Sequence, residues 1–297
     1  MPEALFGGIE AGGTKFVCAI GDGDGRIVRR AQLATEDRPQ RTLEACAAWF
    51  VAAQRELGAP IHALGIGSFG PVDLAAQTIT TTPKPGWRDT ALGAWFRDAL
   101  GVPVAFDTDV NAAVLGESRW GAGQGADPLV YITVGTGIGG GVRVHGRLLH
   151  GALHPELGHI LLAREPGDDF AGACPFHGAC WEGLCAGPAI ARRTGRPAEQ
   201  LAPDDPAWGL VARYIAQALY AVVCTVSPTR IILGGSVSKG GQLGSAALFA
   251  QVRAALISIA NGYLAIPQLA ELAHYVVPPG LGDDAGVIGA LALAAAL

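Results

Sequence analysis

The stretch from His154 to Gly183 reads HPELGHILLAREPGDDFAGACPFHGACWEG and gathers histidines, cysteines and carboxylates into a single segment. Within it, Cys174, His177 and Cys180 stand at intervals of three. In a tight loop that spacing lets two thiolates and an imidazole converge on one point, which is the ligand chemistry of a zinc-like ion. Two other readings compete: a redox pair made of Cys174 and Cys180, and a loop of ordinary polar residues. A redox pair wants CxxC spacing or a disulfide framework, and the sequence offers neither.

Two glycine-rich turns are the second chemical feature, GGIEAGGTKF from Gly7 and VGTGIGGGV from Val134. Glycines there let backbone N–H groups approach phosphate oxygens with no Cβ in the way; Thr14 and Thr136 add hydroxyl donors and Lys15 a cation. A dinucleotide loop is the rival, because Gly65, Gly67 and Gly70, and again Gly135, Gly137 and Gly140, match GxGxxG. Such a loop must open a helix. Pro71 follows the first match and the strand-like VRVHGRLL follows the second, so neither does. No GxxxxGK[ST] is present. Either turn alone could be an ordinary hairpin, but two at matching places in a repeated pattern argue for phosphate.

The elements that must carry these turns read as α/β. Leu5–Ile9, Phe16–Ile20 and Arg26–Leu33 form a meander of strands, and residues 42–57 have helical periodicity with Leu43, Phe50 and Val51 as a core stripe. HALGIGSF is a strand, TITTTPKPGW a loop, residues 91–100 a helix, and VPVAFDTD a buried strand whose last residue, Asp109, caps a helix through VNAAVLGE. LVYITVGTGIGGGVRVHGRLL then repeats the plan of LFGGIEAGGTKFVCAIG, which suggests internal duplication. Later come a helix near 207–226, a strand at 230–235, a helix near 244–261, a strand at HYVVP and a helix from Asp284 onward. The expected organisation is a smaller domain at 1–117, a larger one at 118–283, and a last helix at 284–297 packing back on the first. The charged runs GDDF and APDD read as solvated loops, and His145, His150 and His154 as surface or packing residues.

A chain of 297 residues, half of them hydrophobic, can bury two cores. Its longest apolar run, Gly286–Leu297, is about half of what a membrane span needs, and the start, with Glu3 and early glycines, has no signal-peptide pattern. Membrane partners are not expected. A formal charge of −5 with no basic run excludes the footprint of a nucleic-acid binder. Of six cysteines, three crowd the metal-like loop while Cys18, Cys46 and Cys224 sit in apolar patterns, which favours metal ligation and buried thiols over disulfides.

In chain order, IEAGGTK, SFGPVD, DTDVNAA, VGTGIGGG, HPELGH, CPFHGACWEG, IILGGS and DDAGVIGA resemble the motifs of the ROK family of bacterial sugar kinases and repressors. The resemblance covers nearly the whole chain. It implies the actin-like ATPase fold (hexokinase-like, ribonuclease H-like): two similar α/β domains with a cleft between them. IEAGGTKFVCA, TPKPGW and CPFHGACWEG resemble the fructokinase branch. Two departures stand out: Glu10 replaces the usual aspartate, and CPFHGAC replaces CxCGxxGC.

What the resemblance implies for the site follows residue by residue. DTDVN is similar to the family's ENDAN, so Asp109 is the expected base and Asn111 a sugar ligand, with Gly70, Glu156, His159 and Glu182 completing the sugar site. Carboxylates and an amide suit a polyol, since they accept from hydroxyls. Gly12, Gly13, Thr14, Lys15, Thr136 and Gly137 are the expected phosphate loops for ATP, Gly234 and Gly235 the adenosine turn, and Glu10 the residue that holds Mg²⁺ through water. His159, Cys174, His177 and Cys180 form a closed set for structural Zn²⁺, with Cys185 as a rival ligand. The expected reaction is ATP-dependent conversion of D-fructose to fructose 6-phosphate; glucokinase, mannokinase and N-acetylhexosamine kinase share these motifs. The family also implies a cytoplasmic enzyme and a homodimer. Its repressors carry an N-terminal helix-turn-helix, for which this chain, with its first strand a few residues from Met1, leaves no room.

Overall fold

The computed structural model describes residues 4–264 and 266–297, so Glu3 lies outside the described residues. The chain forms two compact units. Unit 1 holds the described residues up to Gln124, then Leu148–His154 and Gly280–Leu297; unit 2 holds Gly125–Arg147 and Pro155–Pro279.

Unit 1 is built on strands β1 (Leu5–Ala11), β2 (Lys15–Gly21), β3 (Ile27–Ala34), β4 (Ile61–Ser68) and β5 (Val104–Thr108), in spatial order β3-β2-β1-β4-β5. The first three pair antiparallel, as glycine turns between runs of β-formers require, and β4 and β5 join parallel. Helices α1 (Pro39–Leu57) and α2 (Leu92–Leu100) supply the crossovers, and α3 (Asp109–Trp120) follows β5. Leu43 and Phe50 of α1 are buried with Ile9, Phe16, Ile66, Trp87 and Phe96. Val51, by contrast, is 38% exposed, because it lies off the stripe that Leu43, Cys46 and Phe50 present to the sheet.

Unit 2 repeats the plan with β6 (Leu129–Val134), β7 (Ile138–Val144), β8 (Arg147–Leu148), β9 (Arg230–Gly234) and β10 (Val276–Val277), in spatial order β8-β7-β6-β9-β10. Again the central strand pairs antiparallel with its successor and parallel with β9. The duplication read from the glycine turns is therefore a duplication of sheet topology. Helices α4 (Trp181–Cys185), α5 (Gly187–Thr194), α6 (Pro206–Val226) and α7 (Ser245–Ala260) cover this sheet. Among the described residues, α6 alone is long and apolar enough to cross a membrane, yet 50% of its apolar window is buried, with Trp208, Tyr214, Ile215 and Leu219 in the core of unit 2. Near its end Cys224 is exposed, against its apolar context. Only Val276–Val277 of HYVVP is strand; the residues before it form a helical turn.

The last helix, α8 (Ala285–Ala294), belongs to unit 1, where it packs on β1, β4 and α3. The approach is close enough that a Cβ on Gly65 would overlap the carbonyl of Ala290, and one on Gly289 that of Ala112. The chain leaves unit 1 after Gln124, beyond the Glu117 boundary that the sequence suggests. Glu117 is fully buried in unit 1: its carboxylate accepts the backbone N–H groups of Ala122 at 2.6 Å, Gly280 at 3.0 Å and Leu281 at 2.9 Å.

Candidate active site

In unit 1, strand β5 hands over directly to α3. Thr108, not Asp109, is the N-cap, its hydroxyl accepting the N–H of Asn111 at 3.1 Å, because the strand ends at Thr108, one residue earlier than VPVAFDTD suggests. Asp109 becomes the first helical residue, its Oδ1 accepting the N–H of Val110 at 2.9 Å where the helix N-terminus favours a carboxylate. Asp107, on β5, is buried; its Oδ1 accepts from the Thr108 N–H at 2.8 Å and from the Asn111 amide at 2.7 Å. Asn111 is fully buried and its Oδ1 has no hydrogen-bond partner among the described residues. An acceptor held out of water with nothing donating to it is what a substrate hydroxyl would satisfy.

Two histidines read as surface or packing residues belong here. His150 Nε2 lies 2.9 Å from Asp107 Oδ2, and buried His154 accepts the N–H of Val72 at 3.1 Å, its ring beside Gly70. Both sit in Leu148–His154, a segment of unit 1 bounded on each side by unit 2 sequence. Only the closeness of HPELGH in sequence pointed to them.

The first glycine turn is closed by the Gly12 N–H to the Lys15 carbonyl at 2.9 Å and braced by the Thr35 hydroxyl on the Gly12 carbonyl at 2.7 Å. Gly13 faces open space and Thr14 is exposed, so the turn presents backbone and hydroxyl outward. Lys15 Nζ is 3.5 Å from Gln32 Oε1. Just before the turn, Glu10 is half-buried against Gly286, with Oε2 out of solvent and lacking a hydrogen-bond partner among the described residues. Burial, then the charge of Asp109, raise its carboxyl to about 7 against the opposing pull of Lys15. A divalent cation would relieve both effects, so the residue fits a Mg²⁺ site.

The second turn lies in unit 2. Its ends are tied by the Gly135 N–H to the Gly137 carbonyl at 2.9 Å and the Gly187 N–H to the Gly135 carbonyl at 2.7 Å, leaving Thr136 exposed at the tip. Glu182 Oε2 accepts the Ile138 N–H at 2.9 Å and lies against Gly137, so one expected sugar ligand touches one expected phosphate loop. Burial, followed by the charge of Glu182, raises the carboxyl of Glu156 to about 7. Gly234 and Gly235 end β9 beside the same turn; Gly235 has φ +92° and a Cβ there would overlap the Val134 carbonyl, so glycine is required.

Also in unit 2, the ligand atoms of His159, Cys174, His177 and Cys180 all lie within 4.8 Å of one another. His159 Nδ1 is 3.5 Å from Cys180 Sγ and 3.8 Å from Cys174 Sγ, and His177 Nδ1 is 3.7 Å from Cys174 Sγ. Zinc bonds of the usual length, arranged as a tetrahedron, space their ligands about 3.3–3.8 Å apart. The set fits zinc. Cys185 is outside it: its Sγ faces the Val211 carbonyl at 3.9 Å in the core. His159 turns Nδ1 to the thiols, which leaves Nε2 on the opposite edge of the ring.

The run GDDF is not a solvated loop. Asp168 is nearly buried, accepting from Arg193 and Tyr214 and from the Phe170 N–H, while Arg193 stacks 4.4 Å over Phe170. Burial pushes its carboxyl up, but those hydrogen bonds together outweigh burial and bring it to about 2. The anchor fastens the chain between His159 and Cys174. In APDD, Asp205 caps α6 by accepting the Ala207 N–H at 2.9 Å.

The ROK family model matches residues 6–296. The chain belongs to the ROK family. Among its relatives, a Bacillus subtilis (strain 168) protein is 46% identical over 98% of this chain and 95% of its own. The fructokinase of Pediococcus pentosaceus is 41% identical over 98% of both. A solved ROK glucokinase of Streptomyces griseus, in complex with glucose and AMPPNP, superposes with a TM-score of 0.77 at 28% identity, covering 98% of this chain and 99% of that one. The ROK fold is thus the actin-like ATPase fold, and the paired sheets of the two units are its signature.

Proposed function

We propose that this protein transfers the γ-phosphoryl group of ATP to D-fructose, giving fructose 6-phosphate. The observation that carries the reading is the full-length likeness to the Pediococcus pentosaceus fructokinase. The geometry of each unit supports it. Asp109 takes the proton of the attacking hydroxyl as the phosphoryl group moves, a general base at the end of a parallel strand. Asn111 accepts from a second hydroxyl through Oδ1, which has no hydrogen-bond partner among the described residues. Gly70 gives backbone access to the sugar, and Glu156, His159 and Glu182 bind its remaining hydroxyls.

The turns at Gly12–Lys15 and Thr136–Gly137 bind the phosphates of ATP, and Gly234–Gly235 its adenosine. Glu10 would hold Mg²⁺, whose charge neutralises the phosphate oxygens during transfer. His159, Cys174, His177 and Cys180 would hold Zn²⁺, a closed shell that braces the loop carrying Glu182 rather than taking part in the chemistry. The working form is a cytoplasmic homodimer. The test is ADP release from ATP and Mg²⁺ with fructose, glucose, mannose and N-acetylated hexosamines. Preference for fructose is expected; preference for another hexose would overturn the substrate, and no release with any of them the activity.

A further inference from the structure

Asp107 is a nearly buried carboxylate with a partner at each of its two oxygens. Oδ1 takes the Thr108 N–H and the Asn111 amide, and Oδ2 meets His150 Nε2 at 2.9 Å. The same Nε2 is 3.2 Å from Asn111 Nδ2. An amide nitrogen and a carboxylate compete for one ring nitrogen, and the shorter contact to the charged acceptor decides: Nε2 carries a proton and donates to Asp107. The Asn111 amide is then committed as well. Its nitrogen must face Oδ1 of Asp107, which fixes its own oxygen as the acceptor left without a partner among the described residues.

We infer that His150 is a positioning residue of the sugar site, acting through Asp107 to set the orientation of Asn111. The inference rests on the proposed function, since it is as a sugar ligand that Asn111 matters. His154 supports it from the same segment: by accepting the Val72 N–H it pins the short strap Leu148–His154 to unit 1 beside Gly70, so His150 arrives at Asp107 on an anchored backbone. Without His150 one oxygen of a buried carboxylate loses its donor, and the carboxylate and amide can turn together.

The experiment is steady-state kinetics of the full chain with His150→Ala and His150→Gln, varying fructose and ATP separately, alongside melting temperatures. The alanine variant is expected to raise KM for fructose about tenfold, roughly the value of one charge-assisted hydrogen bond, with KM for ATP within about twofold. Glutamine, whose amide can donate to Asp107 Oδ2, is expected to recover most of that loss. A fructose KM unchanged in the alanine variant, or fructose and ATP constants rising together, would overturn the inference while leaving the proposed function standing. Should alanine prevent folding, a glutamine variant that folds yet binds fructose no better than about tenfold below wild type would overturn it too. A wild-type protein that phosphorylates no hexose overturns the proposed function, and this inference with it.

Discussion

The carboxylate of Glu117 accepts the backbone N–H of Gly280 at 3.0 Å, across 163 residues of sequence. It also takes Leu281 and Ala122, so one buried side chain holds the segment that follows α3 to the segment that precedes α8. Replacing it with glutamine keeps the size but turns an N–H₂ toward backbone donors. Glu117→Gln is expected to cost about 2–4 kcal/mol of stability, measured by urea unfolding, because it leaves buried groups unpaired.

Asp109→Asn is expected to lower kcat by about 10²–10⁴, the usual share of a general base, while fructose still binds. Calorimetric titration beside turnover separates the two. Substantial remaining turnover would remove Asp109 from the role.

The metal quartet predicts unequal effects of two neighbouring cysteines. Cys180→Ala should lose bound zinc by elemental analysis and melt at a lower temperature, since an ion bound only by the native fold stabilises it. Cys185→Ala should keep its zinc, its thiol facing Val211 in the core. Loss of zinc from the second variant would return Cys185 to the ligand set.

Glu156 carries a pH signature. Its folded value, about 7, lies above the ordinary 4.5, so the native state holds the proton more tightly than the unfolded chain does. Its contribution to stability is therefore full below about 4.5 and lost as pH rises through 7. In sugar-free protein, Glu156→Gln should be more stable than wild type at pH 8, by about 1–3 kcal/mol, with the gap closing toward pH 4. Melting curves across that range check it; a constant gap would mean that Glu156 ionises normally.

The glycine turns and the convergence of Cys174, His177 and Cys180 were legible in the sequence because each depends on local rules: glycine between β-formers closes a hairpin, and side chains at intervals of three converge in a loop; His159, fifteen residues before Cys174, was reached only through the family resemblance. The repeat of strand, turn and strand was legible because the pattern occurs twice, whereas the order of the strands in each sheet came only with the structure. Features that depend on distant partners were not legible. GDDF looks solvated until Arg193 and Tyr214, from α5 and α6, arrive at Asp168. His150 and His154 look idle until β5 and the Val72 segment come beside them. The helix start was misplaced by one residue because Thr108 and Asp109 can both cap, and strand length chose between them.

Helix α8 is the last helix of the chain, yet its residues fill the sheet of unit 1 against β1 and β4, with Val287 and Leu291 buried beside Val17 and Ala19. On the ribosome this reverses the usual order in which N-terminal domains complete first. Unit 2 has all of its sequence once Pro279 is made, whereas unit 1, begun first, must wait for α8 to close its core. A chain that stops just short of α8 and is released from the ribosome should therefore hold a protease-resistant unit 2 and a cleavable unit 1.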